Sequence, residues 1–458
     1  MADQTGVTDQ VDVIVVGLGP AGEMVGGKLA QAGLSVLGIE ANLVGGECPY
    51  WGCNPSKMMI RAGHVLTEAG RVDQLAGTAT VAPSWRPVAA RVREEATADW
   101  DDTAARNRFE EAGGAFLRGR AELTGPGRVS VAGVEYAATR AVVLAAGTRP
   151  AIPPVDGLAE TPYWTNREAI EAREVPESLV VLGGGAVGLE LAQVYARFGA
   201  AVTVVEAHDR LASAEEPEAS ALLQEALAEE GITVHTAAKV SRISYDGAHF
   251  RLECGDDLGV TGQRLLVATG RRPDLAGLQL ARVGLDPEAK AVAVDRRMRA
   301  GDRLWAVGDI TGVGMFTHVA VYQAEIAVRD ILGEPGPAAD YRAVPRVTFT
   351  DPEVGAVGMT EAQARAAGLR VLTGVSQVSQ TARGWIHGPG NRGFVKLIAD
   401  ADEEVLVGAT AAGPVGGEVL SGLAVAVAGR VPIDTLRHMI YAYPTFHRGV
   451  LDAVRDLS

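Results

Sequence analysis

The sequence predicts an α/β fold in which one strand, glycine turn and helix unit occurs twice, followed by a C-terminal α+β segment. Three observations carry this. VDVIVVG leads into Gly17, Gly19 and Gly22, and the next strand, LSVLGIE, ends at Glu40. SLVVLG leads into Gly183, Gly185 and Gly188, and AAVTVVE ends at Glu206. After a Pro/Gly-rich stretch, GEPGPAADYRAVP, strand and helix patterns alternate to the end of the chain. In both copies the Glu lies 18 residues beyond the third glycine.

Each part of the repeated unit has its own physical reason. The first glycine makes the tight turn, the second lets backbone N–H groups approach a pyrophosphate, and the third permits close packing of helix on strand. The helix N-terminus then faces negative phosphates, and the terminal Glu accepts hydrogen bonds from a ribose. Two structural strand–helix–strand units without nucleotide are the alternative. The doubled, complete pattern favours two Rossmann-like units, each with a dinucleotide.

Further along, VVLAAGTRP, ending at Pro150, and LLVATGRRPD, ending at Asp274, are apolar strands running into glycine turns at Gly147 and Gly270. They read as crossings between domains. LWAVGDI contains Gly308 and Asp309 and precedes helical patterning from Thr317 to Leu332. From near Val344, strands are expected at RVTFT, GFVKLIAD and EVLVGATAAG, and helices at TEAQARAAG and GGEVLSGLAVAVAG.

At 458 residues the chain exceeds one ordinary core and divides into several domains. Its 47% hydrophobic and 22% charged residues are those of a globular protein, not a disordered one. A net charge of -15 argues against nucleic-acid or anionic-membrane partners, which demand a basic face. The acidic N-terminus carries no export pattern, and the apolar stretch Val419 to Ala428 falls short of the ~18 to 20 residues that span a bilayer. A cytoplasmic protein with small-molecule partners is expected. Three cysteines are too few for a secreted disulfide framework.

Cys48 and Cys53 lie in GGECPYWGCNPSK, residues 45 to 57, just after the first terminal Glu. Half of a zinc site has this look, but no second Cys/His pair follows to complete four ligands, so no metal is expected. Two passively buried cysteines are a further alternative. A glycine-rich turn before Pro-Ser-Lys favours a disulfide that cycles. Cys254, on an expected strand, is most simply a small buried residue.

At this point the chain resembles the pyridine nucleotide-disulfide oxidoreductases, the family of lipoamide dehydrogenase, glutathione reductase and mercuric reductase. The resemblance spans nearly the whole length. It rests on both glycine units, the G-G-x-C-x4-C-x-P-S-K segment, the two crossings, the Gly308-Asp309 turn and the stretch TFTDPEVGAVGMTEAQA. It implies FAD on the first unit and a nicotinamide nucleotide on the second. Domains are then expected at 10–155 with 275–336 for FAD, 156–274 for NAD(P), and 340–458 for dimerisation. Cys53 would be the thiolate against the flavin and Cys48 the outer thiol. Lys57 would lie near the flavin and pair with Glu190, while Gly46, Gly147 and Asp309 would join Gly17, Gly19, Gly22 and Glu40 in holding FAD. Gly183, Gly185, Gly188, Glu206 and Gly270 would hold the nicotinamide nucleotide. An acid at Glu206 repels a 2′-phosphate, so NAD(H) is expected over NADP(H), although His208 and Arg210 leave some room for the latter.

The chain departs from this family near its end. Many members carry a His-Pro-Thr segment with a Glu five residues after the His, the proton couple for thiol exchange. Here Tyr443 and Arg448 take those two places, in YAYPTFHRGV. Phenols ionise near pH ~10, and a guanidinium cannot orient an imidazolium as a carboxylate does. Ordinary lipoamide or glutathione disulfide reduction is therefore doubtful; His447 is close in sequence but out of register. A mercuric-reductase-like vicinal cysteine pair is absent from the terminal VRDLS. Tyr50 and Trp51, between the cysteines, either narrow the site or pack beneath the first domain. The expected activity is electron transfer from NADH through flavin and dithiol to an unidentified acceptor, a disulfide, quinone or similar. The alternatives are reductive cleavage of a thioether by the dithiol, and a flavin-binding subunit with little turnover. A homodimer is expected.

Overall fold

A computed structural model describes residues 9–255, 258–273 and 275–458 of the chain; Asp274, the end of the second crossing, lies outside them, as do the first eight residues. The chain forms two compact units, one from residues 1–55, 91–151 and 271–340, the other from 56–90, 152–270 and 341–458.

The first unit is built on an eight-stranded sheet. Strand Asp9–Val16 is central because its second half, Val13 to Val16, is apolar and buried at consecutive positions, as a parallel strand covered on both faces must be. It pairs in parallel with Val36–Glu40 on one side and Val134–Leu144 on the other. Gly114–Arg118 extends the sheet beyond Val36–Glu40, and Leu304–Ala306 extends it beyond Val134–Leu144. Helix Pro20–Gln31 starts at Gly19, with Pro20 in the first helical position where its missing N–H costs nothing. Ile14, Val16, Ile39, Val142, Leu144 and Ala306 meet in the core. The two predicted crossings meet within this unit, where Thr148–Pro150 pairs antiparallel with Arg271–Pro273.

The second unit repeats the strand–turn–helix plan in a four-stranded parallel sheet ordered Thr233–His235, Ala201–Val205, Ser178–Leu182, Arg264–Val267. A three-stranded antiparallel sheet packs with it and contains strand Phe250–Cys254, which buries Cys254 as expected. The C-terminal segment forms a five-stranded antiparallel sheet covered by helix Gly416–Ala428. Two of its strands, Glu353–Gly358 and Val371–Gln377, are not among the three expected. EVGAVG hides its strand character behind two glycines. Gly355 is needed there because a Cβ would come within 2.9 Å of the Gly416 carbonyl oxygen.

The mixed α/β architecture with two Rossmann-like units and a C-terminal α+β segment is thus the one the sequence predicts. Among the described residues, no helix is long and apolar enough to cross a membrane.

Candidate active site

The glycines of the first unit do what their spacing requires. Gly17 adopts φ +94°, and a Cβ there would sit 2.5 Å from the Ala145 carbonyl oxygen. A Cβ on Gly22 would sit 1.9 Å from the Gly17 carbonyl oxygen, so helix and turn close only without a side chain. The second unit reproduces this: Gly183 has φ +115°, and Gly188 would place a Cβ 2.3 Å from the Gly183 carbonyl oxygen. Helices Pro20–Gln31 and Ala186–Arg197 begin at Gly19 and Gly185 with no side chain capping their first N–H groups. A Cβ on Gly185 would meet nothing within 4 Å, and one on Gly19 only the Cα of Gly46 at 3.9 Å. Both turns therefore present open backbone donors beside open space, which fits a pyrophosphate.

Glu40 and Glu206 are held alike. Glu40 accepts the Leu18 N–H at 2.7 Å and the Asn42 N–H at 2.7 Å, one on each carboxylate oxygen. Glu206 accepts the Gly184 N–H at 2.5 Å and the His208 N–H at 2.7 Å. A carboxylate has about four lone-pair sites, so each retains capacity for ribose hydroxyls. His208 is exposed. Arg210 is committed to the protein: it donates to the Glu215 carbonyl, the Ser220 hydroxyl and the Ser213 carbonyl at 2.8, 2.7 and 2.6 Å.

Gly147 and Gly270 both have positive φ, +67° and +111°, in the turns before the paired strands Thr148–Pro150 and Arg271–Pro273. Asp309 accepts a hydrogen bond from the Thr148 hydroxyl at 2.8 Å. Burial pushes its carboxyl up, opposed by Thr148 and by Arg271, which itself donates to Thr148 and lies 3.4 Å from Glu47. Gly308 is fixed by donating its N–H to the buried Gln323 side chain at 2.7 Å.

The cysteine segment folds as a short helix, Glu47–Tyr50, followed by the long helix Cys53–Gly70. Cys48 and Cys53 are thiols here, Cys48 half-buried and Cys53 exposed. The Cys48 thiol is pushed up, first by its hydrogen bond to Cys53 and then by burial. Thr317 joins the pair, with its hydroxyl 3.4 Å from Cys53 Sγ. Nothing in the sequence flags Thr317, which lies 264 residues from Cys53. Tyr50 is buried and packs its ring 5.9 Å from that of Trp51.

In the second unit Lys57 donates to Glu190 at 2.8 Å. The other oxygen of Glu190 accepts the Phe349 N–H at 2.8 Å, and Lys57 Nζ lies 4.7 Å from the centre of the Phe349 ring. Glu190 is buried on helix Ala186–Arg197, so its charge is balanced by the lysine. Near the C-terminus, Tyr443 is 73% exposed, and the His447 ring lies 6.2 Å from that of Tyr441. Arg448 donates to Asp452 at 2.9 Å. Among the described residues, no group of three or more His, Cys, Asp or Glu is placed to hold a metal ion.

Comparison with known proteins agrees with this geometry. Residues 11–324 match the pyridine nucleotide-disulphide oxidoreductase family, and residues 344–454 match that family's dimerisation domain. The chain is 32% identical to a mercuric reductase of Acidithiobacillus ferrooxidans, covering 100% of this chain and 84% of that protein. It is also 32% identical to a dihydrolipoyl dehydrogenase of Halobacterium salinarum, covering 98% and 96%. Among solved structures, a Cu(II) complex of the HOCl-induced flavoprotein disulfide reductase RclA from Escherichia coli superposes with a TM-score of 0.86 at 25% identity, over 98% of this chain and 99% of that one. LpdA from Mycobacterium tuberculosis gives 0.85 at 27% identity, over 98% and 99%. The chain belongs to the pyridine nucleotide-disulphide oxidoreductases and is an NAD(P)H-dependent flavoprotein oxidoreductase of that FAD-using family.

Proposed function

We propose that this enzyme passes electrons from NADH, through FAD and the Cys48–Cys53 pair, to a small diffusible acceptor in the cytoplasm. The observation that carries the reading is the hydrogen-bonded thiol pair, whose Cys53 opens the helix that also bears Lys57, with Lys57 ion-paired to Glu190. FAD would be held by the Gly17–Gly22 turn, Glu40, Gly46, Gly147 and Asp309, and NADH by the Gly183–Gly188 turn, Glu206 and Gly270. Bound FAD supplies two-electron transfer between a nicotinamide hydride and a disulfide. The protein's own part is to hold one proton and one negative charge on the reduced pair. Opening the sulfur–sulfur bond takes two electrons and one proton, which leaves Cys48 as thiol and Cys53 as thiolate.

NADH is favoured over NADPH because the Glu206 carboxylate, held by the Gly184 and His208 N–H groups, would repel a 2′-phosphate. Arg210, the one arginine close enough in sequence to answer that phosphate, would have to break three hydrogen bonds. The acceptor reading rests on Tyr443 and Arg448. With Arg448 turned to Asp452, no carboxylate at that position orients a base for a departing thiolate.

Anaerobic titration with NADH tests the core of this reading. Two electron pairs taken up per flavin, one by flavin and one by the cysteines, are expected; uptake of a single pair would refute a redox role for the pair. Cys53→Ser should abolish the long-wavelength thiolate-to-flavin absorbance of the reduced enzyme, and Cys48→Ser should retain such a band.

A further inference from the structure

The redox pair includes a third group that neither glycine motif nor cysteine segment contains. Thr317 opens helix Thr317–Leu332, and the residue before it, Phe316, caps none of that helix's first N–H groups with its side chain. The start of the helix is therefore the positive end of its dipole, uncapped. There the Thr317 hydroxyl lies 3.4 Å from Cys53 Sγ, and it also bonds Cys48, where it pulls the thiol down against the larger upward pushes from Cys53 and burial. One hydroxyl thus acts on both sulfurs.

A threonine hydroxyl has one hydrogen to donate, and a thiolate can only accept. Once the reduced pair has lost one proton, one hydrogen is shared between the sulfurs and one sulfur is negative. Half-buried Cys48 is the costlier place for the charge, so it keeps the proton and donates it toward Cys53. Cys53 then accepts two hydrogen bonds, from Cys48 and from Thr317. Glu47, next to Cys48 in sequence, lies 3.4 Å from Arg271, and Lys57, four residues after Cys53 on the same helix, is bound by Glu190. We propose that the Thr317 hydroxyl is a positioning group for the reaction, the donor that holds the negative charge of the reduced pair on Cys53. This rests on the assignment of Cys53 as the thiolate and adds to it the residue that enforces the choice. A threonine serving only to start the helix would be replaceable by any β-branched residue of its shape.

The test uses the holoenzyme carrying Cys48→Ser, in which Cys53 is the pair's remaining thiol and its ionisation is read from the thiolate-to-flavin absorbance as pH is varied. Three changes are added separately. Thr317→Val keeps the shape and removes the hydroxyl, Thr317→Ala removes the hydroxyl without adding bulk should the valine protein lose flavin, and Thr317→Ser restores the hydroxyl. Loss of a hydrogen bond to a charged group should raise the midpoint by about 1 to 2 pH units in the valine and alanine proteins. The serine protein should titrate as its Thr317 parent does. Coincident midpoints for valine, alanine and parent would overturn the proposal, as would a serine protein shifted as far as the valine one. A band absent from Cys48→Ser but present in Cys53→Ser has a different meaning: it would overturn the assignment of the two cysteines, and the role of Thr317 with it.

Discussion

Glu23 shows what a single acid does when the fold gives it poor company. It stands in the first turn of helix Pro20–Gln31, and its carboxyl is raised to about 7, chiefly by burial, with Glu40 adding to the rise and Arg108 opposing it from 3.7 Å. Tyr50 shares this neighbourhood and is itself pushed up by burial, Asp102 and Glu23. In the unfolded chain Glu23 ionises near its ordinary 4.5, so between about 4.5 and 7 the folded protein holds a proton that the unfolded one has released. Its contribution to stability is fully present below 4.5, declines as pH rises, and is gone above about 7. Glu23→Gln, neutral throughout, should gain on the wild type by on the order of 2 kcal/mol between pH 5.5 and pH 8. Unfolding curves of both proteins at the two pH values measure this. An advantage that does not grow with pH would mean that the acid is better solvated than its burial implies.

At the scale of elements, the same physics locks a strand to a distant helix in the second unit. Lys396 lies in strand Phe394–Asp400, every residue of which is buried, and is itself 4% exposed. It donates to Glu216 and Glu218, at the start of helix Pro217–Glu229, at 2.9 and 2.7 Å, and lies 2.9 Å from Glu361. Burial alone would lower the Lys396 ammonium, but the three carboxylates outweigh it and push it up. Glu216 is 1% exposed and also accepts the Glu361 N–H at 2.6 Å. Lys396→Met leaves that carboxylate buried without its cation, a change that costs about 3 to 5 kcal/mol. Adding Glu216→Gln should recover part of the loss, because the uncompensated charge and not the missing methylene packing dominates. Thermal unfolding of single and double variants would decide; a double variant no better than the single one contradicts the argument.

For the whole molecule, the C-terminal segment that matches a dimerisation domain leaves large apolar side chains open, among them Ile440 at 96%, Trp385 at 78% and Val425 at 66% exposure. Large apolar side chains left open to water are an unfavourable exposure for a lone subunit. Sedimentation is expected to give a homodimer, the simplest closed assembly; a fully active monomer would contradict it. The acceptor preference turns on the segment that carries Tyr443 and Arg448. Quinones, which can draw electrons from the flavin, should be reduced well, and lipoamide and glutathione disulfide poorly. The missing imidazole-carboxylate couple is worth ~10²- to 10⁴-fold in such steps. Tyr443→His with Arg448→Glu should raise disulfide reduction selectively, while high native turnover of either disulfide would refute the reading.

Features that depend on local sterics are legible in the chain itself: the glycine turns, the strands that lead to Glu40 and Glu206, the helix from Thr317 to Leu332, and the cysteine pair. A residue that must have no Cβ, or a strand that must be apolar throughout, announces itself within a few positions of chain. Even Lys57 with Glu190, 133 residues apart, is reached through a motif whose members are each local. Strand Val371–Gln377 escapes such a reading because its small and polar residues carry no clear alternation. Lys396 is the one cation in the strand segment GFVKLIAD. Its burial is decided by glutamates 178 and 180 residues away. Arg210 reads as a possible phosphate ligand until the loop after Glu206 folds back and consumes its donors. Thr317 reads as the start of a helix and nothing more. Spacing encodes what neighbours along the chain must be, whereas which hydroxyl meets a sulfur, and which carboxylate meets a buried lysine, follows only from how sheets and helices bring remote segments together.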